Sequence, residues 1–322
     1  MTGRLKQYPP SLQFAAFVAI FLICFLLYMT FLVAIFPLIS GTSLASMQKA
    51  LTYAQESSVP VSPKVLGYLK LTQFLYTLVV YLFPPVIFAW LSFKRAANWL
   101  SIDRSPRLTG IILALLIMFL ALPFVSFTAD WNHTWPFSAD LKRTEQETEA
   151  LTRVLLTMPD IASLLINLLI IAAAPAIAEE FFFRGVMQRL FIEMLPKVPW
   201  LAIVITAACF SAIHMQWMDF LPRLLLGFLL GAIYYLSGNL WLSIAGHFLN
   251  NGLQVVMVYL YQIKVLKTDP MDAGTTEWYL AIGSLALTIV VAWQLYQRTP
   301  PSERNFPKQQ TDFTDNIESI GK

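Results

Sequence analysis

Charge is the first thing this chain lacks. Only 13% of its 322 residues are Asp, Glu, Lys or Arg, about half the quarter that an average soluble domain carries. Hydrophobic residues make up 57%. A chain this apolar does not keep itself in water as a globular domain. It also lacks the charge of a disordered segment or a coiled coil. The net charge is only +3, and no basic stripe with interleaved aromatics is present, so nucleic acid is excluded as a partner. Cysteine is scarce as well. Cys24 and Cys209 each sit in an apolar run, which rules out a disulfide framework or a cysteine-based zinc site. There are three histidines, His133, His214 and His247. Internal repeats are missing too, which removes sequence support for an inverted-repeat transporter.

What is present is a series of long hydrophobic runs. A membrane-spanning helix needs about 20 predominantly apolar residues. Runs of that kind fall at residues 14–39, 71–93, 108–127, 161–178, 199–217, 224–236, 240–261 and 278–296. Pro84-Pro85 is expected to kink the second. Residues 224–263 carry no charge at all, too long a stretch for one span, and the turn signal Ser237-Gly238-Asn239 divides it. The sixth helix is then short. The first run is too long for a signal-peptide core and reads as a retained anchor. The pattern predicts an all-α, polytopic membrane bundle of about eight transmembrane helices. It forms a single membrane domain over residues 1–298, with a polar, disordered tail at 299–322. Residues 40–64 read as a loop, and the charged stretch 130–160 has room for a short surface helix. With the N-terminus in the cytoplasm, 13 of the 22 Lys and Arg residues fall on the cytoplasmic side. Basic residues favour that side, so both termini are expected there. The expected location is multi-pass in a bacterial inner membrane.

An ionisable side chain at membrane depth is costly and points to function. Glu179-Glu180 precede Phe181-Phe182-Phe183 and Arg184. On a helix Glu180 and Arg184 are i,i+4 neighbours and can pair, while Glu179 points about 100° away. His214 closes Phe210-Ser211-Ala212-Ile213-His214. His247 and Asn251 are again i,i+4, beside Asn250. Each signal has a bland counterpart: an interfacial salt bridge, an interfacial histidine, interhelical glue. Arg223 reads as a snorkelling anchor with no function, and His133 as part of a loop or aromatic belt. Together, a glutamate, two histidines and an asparagine on three helices could form a hydrolytic site. The carboxylate would take a proton from water, and a histidine with an asparagine would stabilise an oxyanion. Alternatively Glu179, His214 and His247 are the residue types that hold a catalytic zinc.

The ordered motifs resemble those of the CPBP family, the CAAX-prenyl protease and bacteriocin-processing (Abi) intramembrane proteases. That pattern reads EExxxR, FxxxH and HxxxN, matched here by Glu179-Glu180 to Arg184, Phe210 to His214, and His247 to Asn251. The motif-bearing core lies at about residues 160–262. The resemblance implies that Glu179 activates water with His214 beside it, and that His247 and Asn251 form the oxyanion hole. Glu180 and Arg184 would support them. Family members have been described both as metalloproteases and as glutamate proteases. A divalent metal such as zinc stays open on the sequence alone, and the asparagine suits an oxyanion hole better than a zinc site. The implied partner is a membrane-tethered peptide or protein, prenylated in the CAAX case, met within the lipid bilayer. Three other readings remain at this stage: a transporter or proton-coupled carrier using the same Glu and His residues, a non-enzymatic immunity or scaffold protein, and a haem protein with His214 and His247 as axial ligands.

Overall fold

The computed structural model describes residues 5–57, 61–272 and 274–301. Among them the regular structure is helical, with no strand. Ten helices are used below: α1 (Pro10–Ser40), α2 (Leu44–Ser57), α3 (Pro63–Ser92), α4 (Leu108–His133), α5 (Ala139–Leu155), α6 (Ile161–Met194), α7 (Pro199–Ile213), α8 (Trp217–Ser237), α9 (Leu240–Gln262) and α10 (Trp278–Arg298). Eight of them correspond in order to the eight apolar runs. Six (α1, α3, α4, α6, α8 and α10) are long and apolar enough to cross a membrane. Of the other two, α7 has only 15 residues, and α9, a continuous helix of 23 residues, carries the polar His247, Asn250 and Asn251 within it. The fold is an all-α membrane bundle.

Several boundaries differ from the sequence reading, for physical reasons. Helix α6 does not stop before Glu179-Glu180 but continues to Met194. Glu180 finds its partners inside the bundle and needs no water to end the span. Helix α8 is not short. It starts at Trp217, because Arg223 pairs with Asp219 one turn earlier on the same helix. Helix α3 begins at Pro63, with Ser62 accepting from the Val65 amide as its cap. Helix α4 runs on to His133, which closes a helix rather than lying in a loop. The expected 40–64 loop contains α2. The charged 130–160 stretch holds the 17-residue α5, capped by Ser138. The tail beyond residue 301 lies outside the described residues.

Three spans contain a wide π turn, and each has the same cause. Phe36, Phe83 and Ala174 donate to the carbonyl five residues back (Phe31, Leu78 and Leu169). Each is followed at once by a proline: Pro37, Pro84 and Pro175. A proline ring inside a helix removes an N–H and clashes with the carbonyl four residues back. Widening the turn relieves that clash without breaking the span. A fourth π segment, Glu180–Gln188, contains no proline.

The core centres on α6. In the most apolar window of each span, 44% of α6 is buried, against 17% of α1 and 22% of α10, so those two helices flank the bundle. Phe182 meets Phe17 and Phe21 of α1 at 4.8 and 5.3 Å, and Tyr81 of α3 at 5.5 Å. Leu22, Ile23, Leu26 and Leu27 of α1 are left exposed, as a lipid-facing surface requires. Small residues let α8 approach its neighbours. A side chain at Gly227 would come within 3.2 Å of the Ala207 backbone on α7, and one at Gly231 within 2.8 Å of Ile203.

Candidate active site

Helix α6 supplies Glu179 and Glu180 about halfway along its length. Both Glu180 and Arg184 are fully buried, and their side chains meet at 2.5 Å, Arg184 Nη1 to Glu180 Oε1. The expected i,i+4 pair is therefore formed. A buried charge is tolerated only when paired and hydrogen-bonded, and both residues have further partners. Arg184 Nη2 donates to the Gly227 carbonyl of α8 at 2.9 Å. Its guanidinium lies 4.8 Å from the centre of the Phe210 ring, a cation–π contact. Glu180 Oε1 also lies 2.8 Å from His247 Nδ1 of α9. A carboxylate held by arginine can only accept, so Nδ1 carries the proton and Nε2 points onward. On that side Glu179 Oε2 stands 3.9 Å away. That is too long for a hydrogen bond, so neither group is spent on the other. Glu179 keeps 14% of its side chain exposed.

His214 is placed by a helix stop. Helix α7 ends at Ile213, His214 caps it, and Met215 takes a left-handed conformation with φ 56°. The His214 ring turns back to its own helix, with Nδ1 2.7 Å from the Phe210 carbonyl. A carbonyl only accepts, so Nδ1 holds the proton and the neutral ring leaves Nε2 as an acceptor. Phe210 is packed on several sides. Besides Arg184, its ring centre is 5.0 Å from that of His214 and 6.0 Å from that of His247. The charges acting on His214 are those of Glu179, Arg223 and His247. Glu179, His214 and His247 thus converge from three helices.

Asn251 is placed differently. Its Nδ2 donates to the Ile171 carbonyl at 3.3 Å. Ile171 is four residues before Pro175, so the proline has no N–H to offer that oxygen. Asn251 supplies one from α9, and its second amide hydrogen remains. Asn250 Nδ2 in turn donates to Asn251 Oδ1 at 3.1 Å. Among the described residues no three His, Cys, Asp or Glu side chains gather with metal-ligand geometry.

Two groups at the site were not read from the sequence. Tyr81 lies on the π turn of α3, 8% exposed, bonded to Tyr76 and within reach of the Glu179 charge. Its one sequence signal is the Pro84-Pro85 pair that forces the turn. Arg223 reads as a lipid anchor, but its guanidinium lies within electrostatic reach of Glu179 and His214. His133 bonds Asp219 at 3.0 Å and takes no part in the cluster.

Residues 161–253 match the family model described as Type II CAAX prenyl endopeptidase Rce1-like. No curated protein matches the chain, and no solved structure does. The match covers 93 of 322 residues and includes Glu179, Glu180, Arg184, His214, His247 and Asn251. The matched span includes the three helices, α6, α7 and α9, that carry Glu179, His214 and His247, and over these residues the chain is similar to the Type II CAAX prenyl endopeptidases.

Proposed function

We propose that the protein is an intramembrane endopeptidase in which Glu179 activates water to hydrolyse a peptide bond of a membrane-tethered substrate. One observation carries the reading. His247 stands between two carboxylates, tied to Glu180 by Nδ1 and facing Glu179 across 3.9 Å on Nε2. The two carboxylates thereby differ in role. Glu180 is consumed by Arg184 and His247 and serves as an orienting group. Glu179 retains open acceptor capacity and partial exposure.

In the reaction, Glu179 accepts a proton from the attacking water. His214 Nε2, an acceptor by the logic above, shares that proton. A proton on His247 Nε2, taken up as the reaction proceeds, and the remaining amide hydrogen of Asn251 would donate to the oxygen that gains charge. The proton then passes to the leaving amine. Low dielectric around these groups strengthens each interaction. The substrate is a lipid-anchored peptide, prenylated as the family name suggests.

The test is Glu179→Gln in the full chain, reconstituted in phosphatidylcholine vesicles with a farnesyl-cysteine heptapeptide. Loss of a general base lowers the rate about a thousandfold, with an unchanged melting temperature and elution profile. Treatment with 1,10-phenanthroline leaves the wild-type rate as it was. Cleavage by a well-folded Glu179→Gln variant would remove Glu179 from the reaction. Inhibition by the chelator, reversed by zinc, would replace the glutamate mechanism with a metal one.

A further inference from the structure

Helix α10 leans on α4 rather than on α8. Midway along it, the Ser284 hydroxyl donates to the Leu120 carbonyl and accepts from the Phe124 amide at 3.2 Å. Helix α8 is drawn the other way, toward α7 and α6, by its glycine contacts and by the bond from Arg184 to the Gly227 carbonyl. A cavity of about 790 Å³ opens between α8 and α10. That volume lies inside the range of sites that take a small molecule, about 300–1,000 Å³. On α8 the slot runs from Leu225 to Leu236, and on α10 from Leu285 to Tyr296. Eleven residues of helix make either wall about 16 Å long, close to half the roughly 30 Å hydrocarbon thickness of a bilayer.

The two ends of the slot differ. Ala121, Phe124, Leu225 and Leu285 line the deep end. Thr288 spends its hydroxyl on the Ser284 carbonyl at 2.8 Å, so an occupant meets carbon there. At the mouth three amphipathic rings gather. Trp200 stands 5.4 Å from Tyr235, which lies within reach of Tyr296. Such rings sit where hydrocarbon gives way to headgroups. Just beyond them come Lys197 and Arg298, three residues before Trp200 and two after Tyr296, both exposed. Arg298 also lines a second cavity with Arg104 and Arg107, and no Asp or Glu stands among its described lining residues. Ile289 and Trp293 along the slot are 58% and 60% exposed, so it opens sideways to lipid.

We propose that the slot between α8 and α10 binds one acyl chain of an anionic phospholipid, whose phosphate is held by Lys197 and Arg298. The apolar interior, the aromatic collar and the basic rim follow one another as tail, glycerol level and phosphate do in one leaflet. Arginine forms charge-assisted bonds to phosphate, and each basic residue at the surface favours an anionic lipid by about fivefold. The lipid group of a substrate peptide is the competing apolar occupant, and α8 stands against it. At 100° per residue, Leu225, Leu229 and Leu236 lie on the side opposite Gly227, whose carbonyl holds Arg184. A chain in the slot is thus separated from Glu179 by the width of α8.

The test offers the full chain, in dodecyl maltoside, equal amounts of palmitoyl-oleoyl phosphatidylglycerol and phosphatidylcholine. Native mass spectrometry counts the lipids retained. Wild type is expected to keep one phosphatidylglycerol, favoured about tenfold or more over phosphatidylcholine. The double variant Lys197→Gln, Arg298→Gln should bring that ratio to about one. Ala232→Trp fills the slot and should lose the lipid while eluting as wild type does. If it does not accumulate, Leu285→Trp fills the slot from α10 and should give the same loss. Equal retention of the two lipids by wild type overturns the proposal, as does a preference that survives in the double variant. Lipid still bound to a folded, slot-filled variant places it elsewhere and overturns the proposal too. One-for-one displacement of phosphatidylglycerol by a farnesyl-cysteine heptapeptide assigns the slot to substrate instead.

Discussion

Arg184 is held from three directions: by Glu180, by the Gly227 carbonyl and by the face of Phe210. It is 0% exposed, as is the carboxylate it neutralises. Arg184→Ala would leave a buried carboxylate whose remaining side-chain partner is His247. Breaking such a pair costs about 3–5 kcal/mol, so the variant is expected to show a large drop in melting temperature in detergent, or not to accumulate at all. Arg184→Lys keeps the charge but loses the fork that reaches Glu180 and Gly227 together. It should melt between wild type and Arg184→Ala. A melting temperature unchanged in Arg184→Ala would show that the pair does not hold α6 to α8. Glu180→Gln keeps the shape of the side chain but weakens the tie to His247 Nδ1. It is expected to lower kcat more than KM, measured with the same vesicle assay, because the tie orients a ring rather than holding substrate.

At the scale of the element, helix contacts and helix ends decide the geometry. Gly227 permits α8 to lie against Ala207 of α7. In Gly227→Ala the added methyl meets the Phe210 ring at 3.1 Å and backbone at 3.2 Å. Backbone cannot move aside, so the helices separate, at a cost of about 1–3 kcal/mol. The Gly227 carbonyl that holds Arg184 is displaced with them. Thermal melts and peptide cleavage should both fall, and an unperturbed Gly227→Ala would mean that the close approach is not needed. Helix α6 begins at Asp160, whose carboxylate accepts from both the amide and the hydroxyl of Ser163. Those bonds hold its carboxyl below the usual aspartate range. The stabilisation is complete above the unfolded value of about 3.9 and is lost as pH falls through the lower folded value. Asp160→Ala should therefore melt below wild type at neutral pH, and the difference should begin to shrink below about pH 4 and vanish only once the pH is below the lowered folded value. These ends and contacts also mark how far the sequence could be read. Hydrophobic runs revealed eight helical segments, because length and apolarity are local properties. The i,i+4 spacing revealed the Glu180–Arg184 pair for the same reason. Helix α6 was read too short and α8 too short because Glu180 and Arg223 counted as boundary charges. Their partners inside the bundle are tertiary facts. Tyr81 and Arg223 were missed at the site because register between helices has no signal in a single chain segment.

The whole molecule has two distinct ends. At one, Asn239 donates to the Arg104 carbonyl at 3.0 Å, Leu240 donates to the Ser101 carbonyl at 3.2 Å, and Arg189 bonds the Trp99 carbonyl. This ties the segment after α3 to the α8–α9 turn and to α6. The end of α10, at Leu295 and Arg298, adjoins the same group. At the other end His133 bonds Asp219, and Arg153 bonds Asp269 at 2.6 Å. The first end carries Lys94, Arg95, Arg104 and Arg107, and basic residues in short connections are retained on the cytoplasmic side. Gly185 packs against Leu100 and Leu240 of that end. Glu180 lies five residues from Gly185, which is roughly 8 Å along the axis, so the polar cluster is expected to sit nearer the cytoplasm. Substrate would then reach it from that leaflet. Single cysteines test the arrangement in a chain carrying Cys24→Ser and Cys209→Ser. An impermeant maleimide applied to intact cells is expected to label Lys142→Cys on α5 and to spare Arg95→Cys. Everted vesicles should give the opposite pattern. If Arg95→Cys is labelled from outside and Lys142→Cys is protected, the bundle is inverted, and the candidate active site opens toward the outer leaflet instead.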